Sequence, residues 1–236
     1  MGFIKTFFII ALSLCFSCSR SAESSTRSSS AVSASIEAVS LSRSEARVRA
    51  ASVVVRDPVF GGYGSGTLFK IRGRNIVITA AHVVDGREHM QIIGRANESV
   101  TGRVIYVDPN YDFAMITIPD MVSVRPMKFR PHRGDVVGTD VAYTGHPAHH
   151  ELLTVRGRVA GIDRNSKMIL MHSYAWMGAS GSCVFTLDGK LVGVLVAVDV
   201  GRYDGRQIVE DIVWLTPISE IDLDHIMLTI RVHGID

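Results

Sequence analysis

A hydroxyl that attacks a carbonyl carbon needs a neutral imidazole to take its proton. It also needs a carboxylate to hold that imidazole in one tautomer, and N–H groups to receive the developing oxyanion. The sequence carries these parts in three separated segments. Ile78-Thr79-Ala80-Ala81-His82-Val83-Val84 ends an apolar run in small residues, which let the backbone pack closely, and then presents a histidine. Tyr111-Asp112-Phe113-Ala114-Met115-Ile116 sets a carboxylate at the head of an apolar run. Gly178-Ala179-Ser180-Gly181-Ser182 flanks a serine with glycines, permitting a tight turn whose amides at Gly178 and Ser180 can point into one pocket. Acyl transfer is the chemistry this set suits, with Ser180 as nucleophile, His82 as base and Asp112 as orienting acid. Singly, the histidine and the serine have ordinary explanations: a structural histidine and a glycine-rich turn. Asp108 and Asp120 compete with Asp112, but Asp108-Pro109 and Pro119-Asp120 read more naturally as turns.

Other chemistries fit less well. A glycine-flanked serine also occurs at the nucleophile elbow of α/β-hydrolases, and Asp199 or Asp211 followed by His225 would supply that order. The elbow must open a helix, however, and Ser180 runs into Cys183-Val184-Phe185 and an Asp188-Gly189 hairpin. Gly61-Gly62-Tyr63-Gly64-Ser65-Gly66 lacks the Lys-Ser/Thr of a phosphate loop and does not open a helix. His146, His149 and His150 have only Glu151 as an acidic neighbour, so a solvated loop is expected there and no metal site. Cys183 is read as a small buried strand residue, since a redox role would require exposure and a lowered pKa.

The segments that must position these residues read as β-strands. Runs at 53–55, 66–71, 76–79, 104–107, 114–118, 141–144, 153–161, 168–172, 183–187, 191–198 and 212–215 are β-branched or alternating and bounded by Gly, Pro, Asn and Asp. Asp188-Gly189 predicts a hairpin whose two central positions both take positive φ. Only Ile218 to Leu228 is convincingly helical, with a marginal helix at 36–50. An all-β architecture of barrel or sandwich type follows.

The 236 residues carry a net charge of +2, too near balance to imply a nucleic-acid partner. Of three cysteines, Cys15 and Cys18 lie in the first eighteen residues, so no disulfide framework is available. Residues 1–18 read as an export signal: Lys5, a short apolar stretch from Phe7 to Leu14, then small polar residues. Cys18 resembles the acylated cysteine of bacterial lipoproteins, though Cys15 stands where leucine is usual; lipid attachment and simple cleavage both remain open. The chain is thus expected to be exported, either lipid-anchored in the cell envelope or free in the periplasm or medium. Twelve of the 26 residues from Ser19 to Ser44 are serine, so residues 19–46 are expected to form a flexible tether and 47–236 the folded domain.

In their order along the chain, these motifs resemble the trypsin-like (chymotrypsin-fold) serine peptidases, particularly the bacterial branch containing HtrA proteases and glutamyl endopeptidases. Gly64-Ser65-Gly66-Thr67-Leu68 is similar to that branch's early strand, Thr79-Ala80-Ala81-His82 to its histidine motif and Asp112-Phe113-Ala114 to its aspartate motif. Gly145-His146-Pro147 with the strand after it, Gly178-Ala179-Ser180-Gly181, the hairpin from Gly189 to Val194, and Pro217-Ile218 continue the match. The resemblance implies two packed six-stranded antiparallel barrels, about 47–130 and 131–236, with a short C-terminal helix; about 20 residues remain after Pro217, so no PDZ domain is expected. It implies an endopeptidase acting on protein or peptide through an acyl-enzyme, with no cofactor, and with oxyanion donors at the Gly178 and Ser180 amides. The substrate pocket would be walled by Tyr174, Ala175 and Trp176 on one side and Leu195, Val196 and Ala197 on the other. No acidic residue sits where it would hold Arg or Lys, and no histidine where it would hold Glu. An apolar residue before the scissile bond is therefore expected. Cys183 replaces the family's proline and Ala179 its Asn or Asp; these departures keep open an inactive binding protein on the same scaffold.

Overall fold

The computed structural model describes residues 41–204 and 206–232. The expected leader, Cys18 and most of the serine-rich segment fall outside the described residues. Six strands close the first barrel: β1 (Ser52–Arg56), β2 (Tyr63–Ile71), β3 (Arg74–Thr79), β4 (His89–Ile93), β5 (Ser99–Asp108) and β6 (Phe113–Thr117). Their order is β1-β4-β5-β6-β3-β2, closed by antiparallel pairing of β1 with β2. A two-residue β7 (Met127–Lys128) adds to β2 in parallel. The second barrel closes through β8 (Asp140–Gly145), β9 (Leu153–Ile162), β10 (Ile169–His172), β11 (Cys183–Thr186), β12 (Leu191–Tyr203) and β13 (Arg206–Pro217). Its order is β10-β13-β12-β11-β8-β9. Two six-stranded antiparallel barrels with a C-terminal helix are the expected architecture.

Alternation explains the closure. In β4 the side chains of Met90 and Ile92 are buried while His89 is exposed, so one face feeds the first barrel's interior beside Val53, Leu68 and Ile116. Val141, Tyr143, Met171, Val184 and Leu215 fill the second barrel. A third cluster lies between the barrels, where Phe69, Ile78, Phe113 and Met115 meet Cys183, Phe185, Leu191 and Val194. Emptying any one of these buried aromatic or aliphatic positions should cost about 2–5 kcal/mol. The position of one barrel on the other is therefore held by apolar packing, and a site that spans the seam inherits that rigidity.

Four elements differ from expectation. Helix α1 spans Arg43–Ala51, starting before the Arg47 boundary that composition suggested. Ser42 and Glu45 form a reciprocal capping box, satisfying two donors at its start, so Ser42-Arg43-Ser44-Glu45 is a helix signal hidden in a serine-rich stretch. Glu45 is buried and bridges to Arg156 at 2.6 and 2.8 Å, tying α1 to β9. A single-turn helix α2 (Ala81–Val84) follows β3, and α3 is Leu223–Val232, with a 3₁₀ turn over Ile218–Glu220 where the helix was expected to begin. At the Asp188-Gly189 hairpin only Gly189 has positive φ (88°), and its amide returns to Thr186 O at 2.8 Å. That is a type I turn with glycine in the bulge position rather than a turn with two left-handed residues.

Candidate active site

His82 sits in the first turn after β3, because Thr79 ends the strand inside the first barrel and Ala80-Ala81 leaves room for a sharp turn. Thr79 is buried, and its hydroxyl donates to Ser65 O at 2.8 Å, fixing the strand end to β2. Asp112 occupies the turn leading into β6 with φ 48°, a left-handed conformation that aspartate tolerates better than most residues. The Tyr111 carbonyl before it accepts a hydrogen bond from the buried Thr216 hydroxyl of the second barrel. The turn that aims Asp112 is thus held from across the seam.

Both carboxylate oxygens of Asp112 are used by His82. Oδ2 lies 2.6 Å from His82 Nδ1, and Oδ1 accepts the His82 backbone amide at 2.8 Å. Burial opposes ionisation of Asp112, but the His82 ring and the amides of His82 and Ala81 outweigh it, holding its pKa below the ordinary carboxylate value. An ionised Asp112 accepts only, so Nδ1 of a neutral His82 carries the proton and Nε2 carries the lone pair. The imidazole is 48% exposed and the carboxylate 29%, which leaves the pair open to a ligand on one side.

The glycine-flanked serine lies in the turn between β10 and β11. Gly181 has φ 87°, and a Cβ there would collide with Ser65 O and the Thr79 hydroxyl. Gly178 has φ 92°, and a Cβ there would sit 2.6 Å from His146 O. Only glycine allows the turn to press so closely on Thr79 and Ala80, three and two residues before His82. At Gly64, a Cβ would meet Val83 at 2.6 Å and Ser180 O at 2.8 Å, so the histidine and serine turns converge on that glycine. Ser180 is half-buried. Among the described residues, neither Ser180 Oγ nor His82 Nε2 is hydrogen-bonded, and no acceptor is paired with the Gly178 or Ser180 amide.

The competing carboxylates are occupied elsewhere. Asp108 accepts from the amides of Asn110 and Tyr111, and Asp120 from the Asn75 side chain, as turn residues should. Asp199 accepts from Trp214 Nε1, and Asp211 pairs with His172 rather than His225. Cys183 is fully buried between the barrels, and burial pushes its thiol up to about 12, so it is no thiolate. Burial likewise takes His146 down to about 4, leaving a neutral ring.

The expected pocket walls divide. Ala175, Leu195 and Val196 are buried, while Tyr174, Trp176 and Ala197 are exposed. Tyr174 and Trp176 line an open groove of about 830 Å³ with Arg156, His172 and Asp211, and Leu195, Val196 and Ala197 do not line it. Sequence reasoning assigned no role to Ser65, which binds the serine turn through both its backbone and its side chain. Its only signal was its place in Gly64-Ser65-Gly66.

Residues 64–194 match the family model of the trypsin-like peptidase domain. Over 153 aligned residues the chain is 29% identical to serine protease HtrA-like proteins of Staphylococcus aureus strains USA300 and NCTC 8325 / PS 47. The match covers 57% of this chain but 20% of those proteins, so the chain spans about a fifth of the relatives' length. Among solved structures, a serine endoprotease from Yersinia pestis superposes with a TM-score of 0.59 at 17% identity, over 74% of this chain and 60% of that one. At that identity the likeness concerns the fold.

Proposed function

Because this chain belongs to the trypsin-like peptidase domain family, we propose that it is a serine endopeptidase working through His82, Asp112 and Ser180. The observation that carries the reading is the double use of Asp112, whose carboxylate holds the His82 ring at 2.6 Å and its amide at 2.8 Å. A ring pinned in that way has one tautomer and one direction for its lone pair. The packing of the serine turn against Thr79, Ala80 and Gly64 supports Ser180 as the group that lone pair serves.

The chemistry then follows from the parts. With a peptide seated, the Ser180 hydroxyl and His82 Nε2 draw into hydrogen-bonding distance, a contact that commonly tightens only in the bound state. Ser180 Oγ attacks the carbonyl carbon as Nε2 takes its proton, and Asp112 stabilises the resulting imidazolium without itself becoming protonated. The unengaged amides of Gly178 and Ser180 receive the oxyanion. His82 returns the proton to the leaving amine, and water repeats the sequence on the acyl-enzyme. Residues 174–176 and 195–197 carry no charged side chain, which favours an apolar residue before the scissile bond. Residues 1–18 favour export, with Cys18 either lipid-bearing or removed with the leader.

Fluorophosphonate labelling tests the assignment. The folded protein should label within about pH 6 to pH 9, a window around histidine's unperturbed pKa of about 6.5, and Ser180→Ala or His82→Ala should abolish labelling. A folded protein that never labels would replace the enzyme with a binding protein on the same scaffold. Cleavage of a peptide library dominated by Arg, Lys or Glu before the cut would overturn the apolar preference. The mass of the mature N-terminus decides between lipid attachment and release.

A further inference from the structure

The turn that carries Ser180 has four carbonyls, at residues 177, 178, 179 and 180, and each has a donor. Met177 O accepts from the Ala148 amide at 2.7 Å, and Ala179 O accepts from the Ser182 amide at 3.0 Å. The other two are both held by Ser65 of β2, in the opposite barrel. Its hydroxyl donates to Gly178 O at 2.7 Å, and its amide donates to Ser180 O at 2.7 Å. A trans peptide sets its N–H opposite its C=O, so a held carbonyl also aims the next amide. Ala179 N–H, opposite Gly178 O, reaches Trp176 O at 2.9 Å, and Gly181 N–H, opposite Ser180 O, reaches Leu195 O at 2.7 Å. The two remaining amides, Gly178 and Ser180, are aimed by the carbonyls of Met177 and Ala179 and donate to no described residue.

We propose that Ser65 is a positioning residue for the oxyanion site, locking the peptide planes around Gly178 and Ser180 from across the barrel seam. The inference rests on the peptidase reading above. Gly178 needs the lock most, since a left-handed glycine without Cβ can rotate its flanking peptides at little steric cost. The Ser65 hydroxyl also accepts the His146 amide at 2.9 Å, next to the Pro147–His149 turn that supplies the Ala148 amide. One hydroxyl therefore holds the Gly178 carbonyl directly and steadies the segment that holds the Met177 carbonyl. Ser65 is fully buried, so water is not at hand to substitute for it.

Ser65→Ala should lower kcat for a peptide substrate about a hundredfold, the scale of losing one oxyanion donor, with KM within about threefold. A peptidyl boronic acid, which forms a tetrahedral adduct, should lose affinity by a similar factor. Thr144→Val serves as the matched control: Thr144 is buried and bonded to Thr154 Oγ1 at 3.0 Å, with no bond to the serine turn, and its kcat should stay at wild type. Ser65→Ala with wild-type kcat, or with a loss equal to that of Thr144→Val, would overturn the proposal. Should Ser65→Ala not fold, Ser65→Cys keeps the size with a weak donor, and a wild-type kcat there overturns it equally. Hydrogen exchange separates this inference from the peptidase reading. In wild type that does not label, faster exchange at the Ala179 amide in the Ser65 variant, with Gly181 still protected by the retained Ser65 backbone amide, upholds the lock, and unchanged exchange at Ala179 removes it.

Discussion

Among the described residues, two histidine–aspartate pairs lie at the same separation. His82 meets Asp112 at 2.6 Å in the seam between the barrels, and His172 meets Asp211 at 2.6 Å on the second barrel's outer face. Their surroundings differ in every respect that matters to chemistry. Asp112 grips His82 through Nδ1 and the backbone amide and is 29% exposed; Asp211 touches His172 through Nε2 alone and is 71% exposed. His172 itself is 64% exposed. The distance between two side chains thus says little about their use. What separates the pairs is which ring nitrogen is left, how far the carboxylate is withdrawn from water, and what the free nitrogen can serve.

Mutations can break that contrast. Asp112→Asn keeps the shape but favours the wrong imidazole tautomer, so kcat should fall roughly 10⁴-fold with the fold retained; rates and circular dichroism on one preparation check it. A loss under about tenfold would make the two pairs equivalent and remove the case for Asp112. Gly178→Ala forces a side chain into a left-handed position against His146 O, and a drop in kcat of about 10²–10³ is expected from a misplaced oxyanion amide. Steady-state kinetics on the soluble variant reads this directly.

A third ion pair sharpens the comparison on stability. Glu45 is buried where Arg156 binds both its oxygens, and this interaction, against the cost of burial, takes its pKa down to about 2. A carboxylate depressed in the folded state contributes stability above its unfolded pKa and loses it as pH falls. Glu45→Gln should therefore cost about 2 kcal/mol at neutral pH. The gap to wild type should close as acid is added between pH 4.5 and about 2, which denaturant titration across pH can follow. Asp211→Asn, on the exposed pair, should change stability by no more than about 0.5 kcal/mol and leave kcat at wild type. A large effect there would show that exposure is the wrong discriminator.

Much of this was legible along the chain. Motif order placed His82, Asp112 and Ser180 in separate strand-flanking segments, and alternation located most strands of both barrels. β4 escaped notice although Met90 and Ile92 alternate cleanly, because five residues beginning with histidine carry a weak apolar signal. The marginal helix expected at 36–50 anticipates α1 in part, but serine content hides its capping box, and the burial of Glu45 depends on Arg156, 111 residues away. Asp211 beside His172 has the residue types of a catalytic pair, and nothing local to either sets them apart from His82 and Asp112.

Local rules therefore determined the residue types, the turns that glycine must make and the strand periodicity, since each depends on neighbours a few bonds away. Which carboxylate reaches which imidazole, and which hydroxyl holds the Gly178 carbonyl, depends on two barrels closing and packing through Phe69, Phe113, Cys183 and Phe185. Ser65 and Gly178 are 113 positions apart and bonded at 2.7 Å. Hydrogen bonds of that kind act over ångströms in space, and only the tertiary fold converts sequence distance into spatial distance.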